Sequence, residues 1–223
     1  MTGDEARAKL RRTLEDGGVI IGAGAGTGLS AKCAEAGGTD PFRLMDVFLR
    51  GVRDAGFAGV QNFPTVGLID GTFRANLEET GMSFGLEVDM IREAAALGLL
   101  TAPYVFDPEQ ATAMAEAGAD VLVPHMGLTT KGTIGAHTAK TLDECVELIQ
   151  AMHDAAKRVN PEILVLCHGG PIAEPNDAAY VIAHTEGVVG FFGASSMERL
   201  PVEVAMTENM RRFKAIPVQE GER

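Results

Sequence analysis

The 223-residue chain contains no tryptophan, two tyrosines and three cysteines, and it is poor in positive charge. Its 19 lysines and arginines face 31 aspartates and glutamates, so the formal net charge is -12. A surface this acidic is unsuited to binding nucleic acid or an anionic membrane. Cys33, Cys145 and Cys167 form no CxxC pair, so we expect free thiols and a cytoplasmic protein. Long apolar runs are also missing, so neither a secretion signal nor a membrane span is predicted.

The chain does contain a regular alternation of short apolar runs with helical stretches. The runs are rich in β-branched residues and end in turn residues, which is typical of buried strands. Strands are predicted at Val19–Gly22, Gly59–Phe63, Leu100–Phe106, Val121–His125, Ile163–Cys167 and Val188–Phe192. Helices are predicted at Thr2–Glu15, Phe42–Ala55, Leu86–Leu97, Pro108–Ala117, Leu142–Val159, Asn176–His184 and Met197–Phe213. This order indicates parallel strands in a single domain, residues 1–223, in which residues 1–17 form a helix that precedes strand 1.

The fold class that fits this order is α/β, a TIM (β/α)8-type barrel, but the strand count is two short. A helix that ends in Ala-Gly-Gly at Gly38 should lead into a second strand, yet Asp40-Pro41 starts another helix at once. Strands 2 and 3 therefore have no counterpart, and two βα units correspond to roughly 60 residues. Either the chain is deleted between Gly38 and Thr39, or residues at that point are missing from the sequence as read. A true deletion would leave unpaired strand edges, so we expect a homo-oligomer.

Polar side chains stand at the ends of the predicted strands, where catalytic groups of such barrels lie. His125 and His168 end two of them, and an unperturbed histidine titrates near pH 6.5. Both are therefore candidates for acid–base catalysis, with a hydrogen-bonded packing role as the alternative. Asn62 is a candidate substrate-binding residue by the same rule. Asp40 would follow strand 3 and is a candidate catalytic carboxylate.

Small residues follow the last two predicted strands, Gly169 and Gly170 in one turn and Gly193, Ser195 and Ser196 in the other. The loops after strands 7 and 8 of (β/α)8 barrels commonly hold a phosphate, and glycine lets the backbone approach the anion. A helix N-terminus nearby would add free N–H groups. These five residues are therefore predicted to bind phosphate, although the serines also suit a helix N-cap.

A third glycine-rich turn, GAGAGTGLS at residues 22–30, follows strand 1. Its glycines miss the G-x-G-x-x-G spacing, which argues against a dinucleotide site. We predict instead that Gly24 and Gly26 line the mouth of the active site and contact the substrate.

The segment Thr65–Gly85 is far longer than the usual βα loop, and loops of this length often act as lids or binding loops. Arg74 is a candidate to clamp a carboxylate or phosphate, and Glu78 or Glu79 is a candidate base or magnesium ligand. A solvated charged loop or an oligomer contact is the alternative. No cluster of His and Cys ligands is visible, so the metal is unknown, and Mg²⁺ held by one or two carboxylates stays open as the cofactor.

Six segments of the sequence resemble one known family. They are IGAGAGTGLSAKCAEAGG, GTDPFRLMDVFL, GFAGVQNFPTVGLIDGTFRANLEETGM, PHMGLTT, LCHGGPI and GFFGASSMERLP. Together they resemble the phosphoenolpyruvate hydrolase-like family, also described as TIM-barrel signal-transduction proteins. The TIM-barrel domain at the C-terminus of a plant tobamovirus resistance protein is similar. The resemblance covers nearly the whole chain, except for the segment missing between Gly38 and Thr39.

Two functions are consistent with this resemblance. It implies an enzyme, a hydrolase or lyase, that cleaves the C–P or P–O bond of a small anionic substrate such as phosphoenolpyruvate or phosphonopyruvate. The alternative is a non-catalytic domain for ligand sensing, signal transduction or protein interaction. Loss of two barrel units would favour that second function.

Overall fold

A computed structural model of the protein describes residues 2–18, 20–23 and 41–217. Its helices within these residues are α1 (Gly3–Glu15), α2 (Pro41–Asp54), α3 (Gly71–Glu79), α4 (Phe84–Ala96), α5 (Pro108–Glu116), α6 (Leu142–Val159), α7 (Pro175–His184), α8 (Ser195–Glu198) and α9 (Leu200–Lys214). Its strands are β1 (Ile20–Ala23), β2 (Gly59–Val60), β3 (Leu100–Thr101), β4 (Tyr104–Val105), β5 (Val121–Pro124), β6 (Leu164–Cys167) and β7 (Val188–Gly193). A short 3-10 turn covers Val66–Leu68. A helix follows each strand from β4 to β7, as the alternation predicted.

The strands lie side by side in the order of a barrel. β3 and β4 belong to one extended segment, which pairs with β2 on one side and with β5 on the other, both in parallel. The sheet continues in the order β5, β6, β7 and β1. Parallel pairing of Ile20 with Gly190 joins the first strand to the last. First-to-last pairing is what closes a (β/α)8 barrel, so the fold is a TIM-type barrel.

Over the residues that the structure describes, the barrel is two strands short of closure. Among the described residues, the outer edges of β1 and β2 face no further strand, and these edges flank the place of barrel strands 2 and 3. The fold class predicted from the sequence is therefore confirmed. Three candidate site residues, Gly24, Gly26 and Asp40, lie outside the described residues, as does the Gly38–Thr39 junction.

The inside of the barrel is filled by a small cluster of side chains from alternating strand positions. Its buried members are Ile20, Tyr104, Val121, Val123 and Leu166. Helix α1 lies across the amino-terminal end of this cluster and packs Leu10 and Leu14 against it. The cap residue Thr2 starts α1, because its hydroxyl accepts a hydrogen bond from the backbone N–H of Glu5.

A larger apolar cluster lies between the strands and helices α4 to α7. It includes Ile91, Met114, Ile149, Val165 and Val181, each fully buried. Burying such side chains stabilises the fold by roughly 1.5–3 kcal/mol apiece. The part of the barrel from β4 to β7 is therefore the well-packed part of the molecule.

No helix of the described residues is long and apolar enough to cross a membrane.

Some predicted elements differ from the observed ones. The strand predicted at Gly59–Phe63 ends at Val60, because the Asn62 side chain exchanges two hydrogen bonds with the backbone of Tyr104, in place of strand pairing. The strand predicted at Leu100–Phe106 is interrupted at Pro103, which has no N–H to donate.

Two further differences concern helices. The segment Thr65–Gly85, predicted as one long loop, contains the 3-10 turn and helix α3. Its apolar positions are too few to show a helical period. The helix predicted at Met197–Phe213 starts earlier and is divided at Arg199, so that Pro201 falls in the first turn of α9, where its missing N–H costs nothing.

Candidate active site

Two histidines meet at the carboxyl ends of the strands. His125 directly follows β5 and His168 directly follows β6, and their ring centroids lie 4.6 Å apart. Tyr104 of β4 contacts both rings, with its centroid 4.9 Å from each. All three side chains are at least nine-tenths buried. We call His125 and His168 the imidazole pair.

The imidazole pair is electrically neutral at physiological pH. Burial lowers the pKa of His125 to about 3, with smaller contributions from His168 and Lys140. Burial likewise lowers the pKa of His168 to about 4. The sequence suggested titration near pH 6.5, which holds only for a histidine in water, and both rings are out of water. Tyr104 beside them also stays protonated, because burial raises its pKa to about 12.

The two rings hold their protons on opposite sides. The backbone N–H of Gly127 donates to Nδ1 of His125 over 3.1 Å, so the proton of that neutral ring is on Nε2. Nδ1 of His168 lies 2.7 Å from the carbonyl oxygen of Phe192, which can only accept, so Nδ1 carries the proton there. The pair therefore offers one N–H donor, on His125, and one lone pair, on His168.

A cleft of 240 Å³ opens beside His125. It is lined by Gly67, Leu68, Ile69, Asp70, Phe106, His125, Met126, Gly127, Lys140 and Leu148. We call it the His125 cleft. Lys140 supplies a positive charge to its wall and Asp70 a negative one. Nothing in the sequence marks out Lys140, which lies in a polar loop, whereas Asp70 lies in the long segment Thr65–Gly85.

Glu87 of α4 supports one wall of the site and was not among the site residues predicted from the sequence. Its carboxylate accepts hydrogen bonds from the Asn62 amide at 2.6 Å, the Thr65 hydroxyl at 2.7 Å and the Val66 N–H at 2.8 Å. Burial raises its pKa, and these hydrogen bonds oppose the rise. The helical spacing of the sequence indicates this position, because Glu87 lies three residues after the buried Phe84 and therefore on the buried face of the helix.

Asn62 and Arg74, both predicted to bind substrate, make their hydrogen bonds within the chain. The Asn62 amide is shared between Glu87 and the Tyr104 backbone. Arg74 pairs with Glu78 at 2.8 Å and donates to the Val66 carbonyl at 2.9 Å, so it holds its own segment together. Both residues thus shape the wall of the site from behind.

The candidate base Glu79 is placed differently. It lies exposed at the end of α3 and does not line the His125 cleft. Asp70, at the opposite end of that helix, is the carboxylate of this segment that lines the cleft.

The turn after β6 is bonded to the loop after β5. The Gly170 N–H donates to the Gly127 carbonyl at 2.7 Å, and the Gly170 carbonyl accepts from the Thr130 N–H. Both Gly169 and Gly170 have positive φ, which only glycine adopts at little cost. The N–H of Gly170 is therefore already used, so it is not available to an anion.

The other predicted phosphate-binding residues lie after β7. Gly193 is buried against Ser196 and Met197, and Ser195 and Ser196 are half-buried in the four-residue helix α8. His168 contacts the carbonyl of Phe192, one residue before Gly193, so the turn after β7 does adjoin the imidazole pair.

The loop after β5 is tied across the top of the barrel by ion pairs. Lys131 lies 2.6 Å from Glu174 and 3.0 Å from Asp177, at the start of α7. Arg199 donates to the Lys131 carbonyl and pairs with Glu203 of α9. Lys131 is thus engaged in a structural contact. Among residues 2–18, 20–23 and 41–217, no three His, Cys, Asp or Glu side chains group as a metal site.

Comparison with known proteins identifies the family. Residues 37–216 match the sequence profile of the family described as phosphoenolpyruvate hydrolase-like. The chain belongs to the phosphoenolpyruvate hydrolase-like family. The resemblance seen in the sequence is thereby confirmed, and the imidazole pair, Glu87 and the His125 cleft all lie inside the matched residues.

Relatives of this phosphoenolpyruvate hydrolase-like chain occur in a plant and a bacterium. The ToMV susceptible protein tm-1 and the ToMV resistance protein Tm-1 of Solanum lycopersicum are each 49% identical over 266 residues, which is 95% of this chain and 35% of theirs. A putative transcriptional regulatory protein of Sinorhizobium fredii is 31% identical over 177 residues, 79% of this chain and 29% of its own. The chain thus spans about a third of the length of these relatives.

The tomato alignment also measures the missing segment. Because 95% of 223 residues is about 212, an alignment of 266 residues includes about 54 positions that have no residue in this chain. Two βα units would contribute roughly 60. The family match begins at Gly37, beside the junction located from the sequence. Strand count and alignment therefore agree on a gap of two βα units.

Among solved structures, a putative phosphonomutase from Burkholderia cenocepacia is similar, with a TM-score of 0.42 and 14% identity. The similarity covers 76% of this chain and 90% of that one. At this score the likeness says nothing about substrate or mechanism.

Proposed function

We propose that this phosphoenolpyruvate hydrolase-like protein is an enzyme that hydrolyses a small phosphorylated or phosphonylated carboxylate in the His125 cleft. The observation that carries the proposal is the imidazole pair, neutral and oppositely protonated, of which His125 lines a cleft that also holds Lys140 and His168 lies directly behind His125. Family membership supports the substrate class. The buried free thiols of Cys145 and Cys167 suit a reducing compartment, so we propose the cytoplasm as its location.

The pair supplies both proton transfers that such a hydrolysis needs. With phosphoenolpyruvate, water attacks phosphorus while the bond from phosphorus to the enol oxygen breaks; with phosphonopyruvate, the bond from phosphorus to carbon breaks. Either way the leaving group is the enolate of pyruvate. In this proposal Nε2 of His168 takes a proton from the attacking water and, as the imidazolium, delivers that proton to the enolate, while Nε2–H of His125 donates a hydrogen bond that stabilises the enolate oxygen. Lys140 attracts the anionic substrate to the cleft.

The test is release of inorganic phosphate and pyruvate by the purified protein from phosphoenolpyruvate and from phosphonopyruvate. We expect His125→Asn and His168→Asn each to lower kcat by about a hundredfold or more, because general acid–base groups contribute that much. Asparagine retains the hydrogen bond made at Nδ1 in both cases, so the fold should persist. His184→Asn, at an exposed helix end, is the matched control. Equal rates in all four proteins would refute the proposal.

A second function, ligand sensing without turnover, is favoured by the gap of about 54 positions relative to the tomato proteins. The description of the Sinorhizobium relative as a putative transcriptional regulatory protein points the same way. Under this alternative, phosphoenolpyruvate raises the Tm of the protein by mass action and is recovered intact after incubation. Loss of substrate on the same timescale would exclude sensing alone.

A further inference from the structure

One aromatic ring links the two members of the imidazole pair. Tyr104 is stacked on His168, with an angle of 24° between the ring planes, and lies edge-to-face on His125, with an angle of 81°. Offset-stacked and edge-to-face contacts are the arrangements that aromatic rings prefer. Phe106 contacts one member of the pair and Phe192 the other, whereas Tyr104 contacts both, as far as the described residues show.

Each imidazole needs a second contact to fix its orientation. His125 and His168 are each hydrogen-bonded through Nδ1, at one atom of the ring. A single hydrogen bond leaves the ring free to tilt about that atom, so that Nε2 would point in several directions. Packing locks the rotamer of a catalytic side chain and holds it in a productive geometry. The ring of Tyr104 supplies this packing to both imidazoles.

Tyr104 is itself held in place through its backbone. Its N–H donates to the side-chain oxygen of Asn62 at 2.7 Å, and its carbonyl accepts from the Asn62 amide at 3.2 Å. The same amide donates to the carboxylate of Glu87 at 2.6 Å. On the other side, Tyr104 pairs with Val123 of β5. The half of this arrangement that precedes Tyr104 thus connects Glu87 to the imidazole pair.

The ring of Tyr104, rather than its hydroxyl group, makes the contact with the imidazoles. Both ring distances are 4.9 Å, and among the described residues no hydrogen bond joins the hydroxyl to His125 or His168. Phenylalanine at this position would therefore preserve the contact, whereas an aliphatic side chain would remove it.

We propose that Tyr104 is a positioning residue of the candidate active site, whose ring keeps Nε2 of both imidazoles in the direction that the structure shows. Asn62 and Glu87 act through it, because they hold its backbone. Asn62, predicted from the sequence to bind substrate, thus has an indirect role in this proposal. The inference rests on the proposed function, since the hydrolysis uses Nε2 of both rings.

The first test compares kcat and KM for phosphate release in the natural chain and three variants. Tyr104→Leu removes the ring, Tyr104→Phe keeps it, and Met114→Ala makes a cavity in the larger apolar cluster, outside the barrel interior. We expect Tyr104→Leu to lower kcat by about tenfold or more and to change KM less than about twofold, because misplaced catalytic groups slow the reaction more than they weaken binding. Tyr104→Phe and Met114→Ala should keep both constants within about twofold. If Tyr104→Leu does not fold, Tyr104→Met, which fills more of the space, takes its place.

The second test does not depend on turnover. Long-range proton–nitrogen correlation NMR spectra report which nitrogen of each histidine ring carries the proton. In the natural chain we expect one fixed tautomer for His125 and one for His168. Tyr104→Leu should give averaged nitrogen signals for at least one of the two rings, and Tyr104→Phe should retain the fixed tautomers.

The two tests distinguish this inference from the proposed hydrolysis. If the natural chain releases no phosphate, the hydrolysis is refuted, and the spectra alone decide whether Tyr104 orders the imidazole pair. Unchanged spectra in Tyr104→Leu would overturn the inference whatever the rate. A Tyr104→Phe protein as impaired as Tyr104→Leu would also overturn it, because the hydroxyl would then be the group that acts. So would an equal loss of kcat in Met114→Ala, which would indicate a general effect of core packing.

Discussion

The two ends of the barrel handle polar groups in opposite ways. At the amino-terminal end, charged groups are paired: Arg7 of α1 reaches Asp120 at 3.3 Å and also donates to the carbonyls of Gly98 and Leu99. Asp120 in turn accepts from the Thr101 N–H. At the carboxyl end, the imidazole pair is buried, uncharged and hydrogen-bonded through Nδ1 only, as far as the described residues show. The hydrogen bonds of the amino-terminal end are thus made within the protein, whereas Nε2 of each ring at the carboxyl end makes no hydrogen bond among the described residues.

The largest effect that tests this comparison is sensitivity to acid. The folded pKa values of His125 and His168 lie below the value of about 6.5 in the unfolded chain, so the unfolded state binds more protons. Stability is therefore full above pH 6.5 and falls as the pH drops toward 4. For His168 alone the loss is about 3 kcal/mol.

Urea unfolding at a series of pH values checks this. The double variant His125→Asn/His168→Asn should lose most of the dependence between pH 6.5 and 4, and His184→Asn should keep it. Glu87, whose raised pKa favours stability at low pH, acts in the opposite direction. An unchanged pH dependence in the double variant would show that the rings are not buried as described.

The next effect concerns the wall behind the imidazole pair. Glu87→Leu leaves the Val66 N–H, the Thr65 hydroxyl and part of the Asn62 amide without an acceptor, and should cost about 2–4 kcal/mol of unfolding free energy. Glu87→Gln keeps most of these contacts and should cost about 1 kcal/mol. Chemical denaturation measures both. Equal costs would mean that the carboxylate is not the acceptor that organises this wall.

At the opposite end, Arg7→Met should lower stability by about 1–2 kcal/mol, because Asp120 and two carbonyls lose their donor. The rate of phosphate release should not change, since α1 is at the far end of the barrel from the cleft. Arg53→Met removes an exposed pair with Asp54 and serves as the control, with no measurable effect on stability. A fall in turnover in the Arg7→Met protein would show that the amino-terminal end of the barrel also contributes to activity, which contradicts the comparison.

The smallest effect distinguishes two candidate positions of a bound phosphate, beside Lys140 in the His125 cleft and at the turn after β7. Phosphate should raise the Tm, and Lys140→Met should weaken its binding by about tenfold, as loss of one charged contact does. Arg74→Met should leave phosphate binding unchanged, because Arg74 is bound within its own segment. If Gly193→Glu abolishes the protection while Lys140→Met does not, the anion lies at the turn after β7, as the sequence suggested.

Much of the fold could be predicted because it depends on periodicity. Short apolar runs gave six strand positions, and the direct succession of two helices at Gly38–Thr39 located the missing units. The strand predicted at Gly59–Phe63 ends at Val60 because the Asn62 side chain replaces backbone pairing with Tyr104. No local sequence pattern predicts such a replacement. Helix α3 was missed because it buries no apolar face.

The candidate site was predictable in position and less so in detail. The rule for strand ends selected His125 and His168, since it depends only on topology. Lys140 and Glu87 were not selected, because Lys140 lies in a loop between β5 and α6 and Glu87 points inward from a helix. Such contributions are fixed by packing between segments distant in sequence. The neutral state of the imidazole pair likewise results from burial, which depends on tertiary packing and could not be predicted from the sequence.

The pairing of β1 with β7 has a consequence for how the chain assembles during synthesis. Ile20 leaves the ribosome about 170 residues before its partner Gly190. The units from β4 to β7 can associate with neighbours that follow within a few tens of residues, whereas the partner of β1 is β7, which is synthesised much later. Contacts of such long sequence separation form late and slowly. The first strand made is therefore the last to be fixed, and until then its edge is open to any other nascent chain.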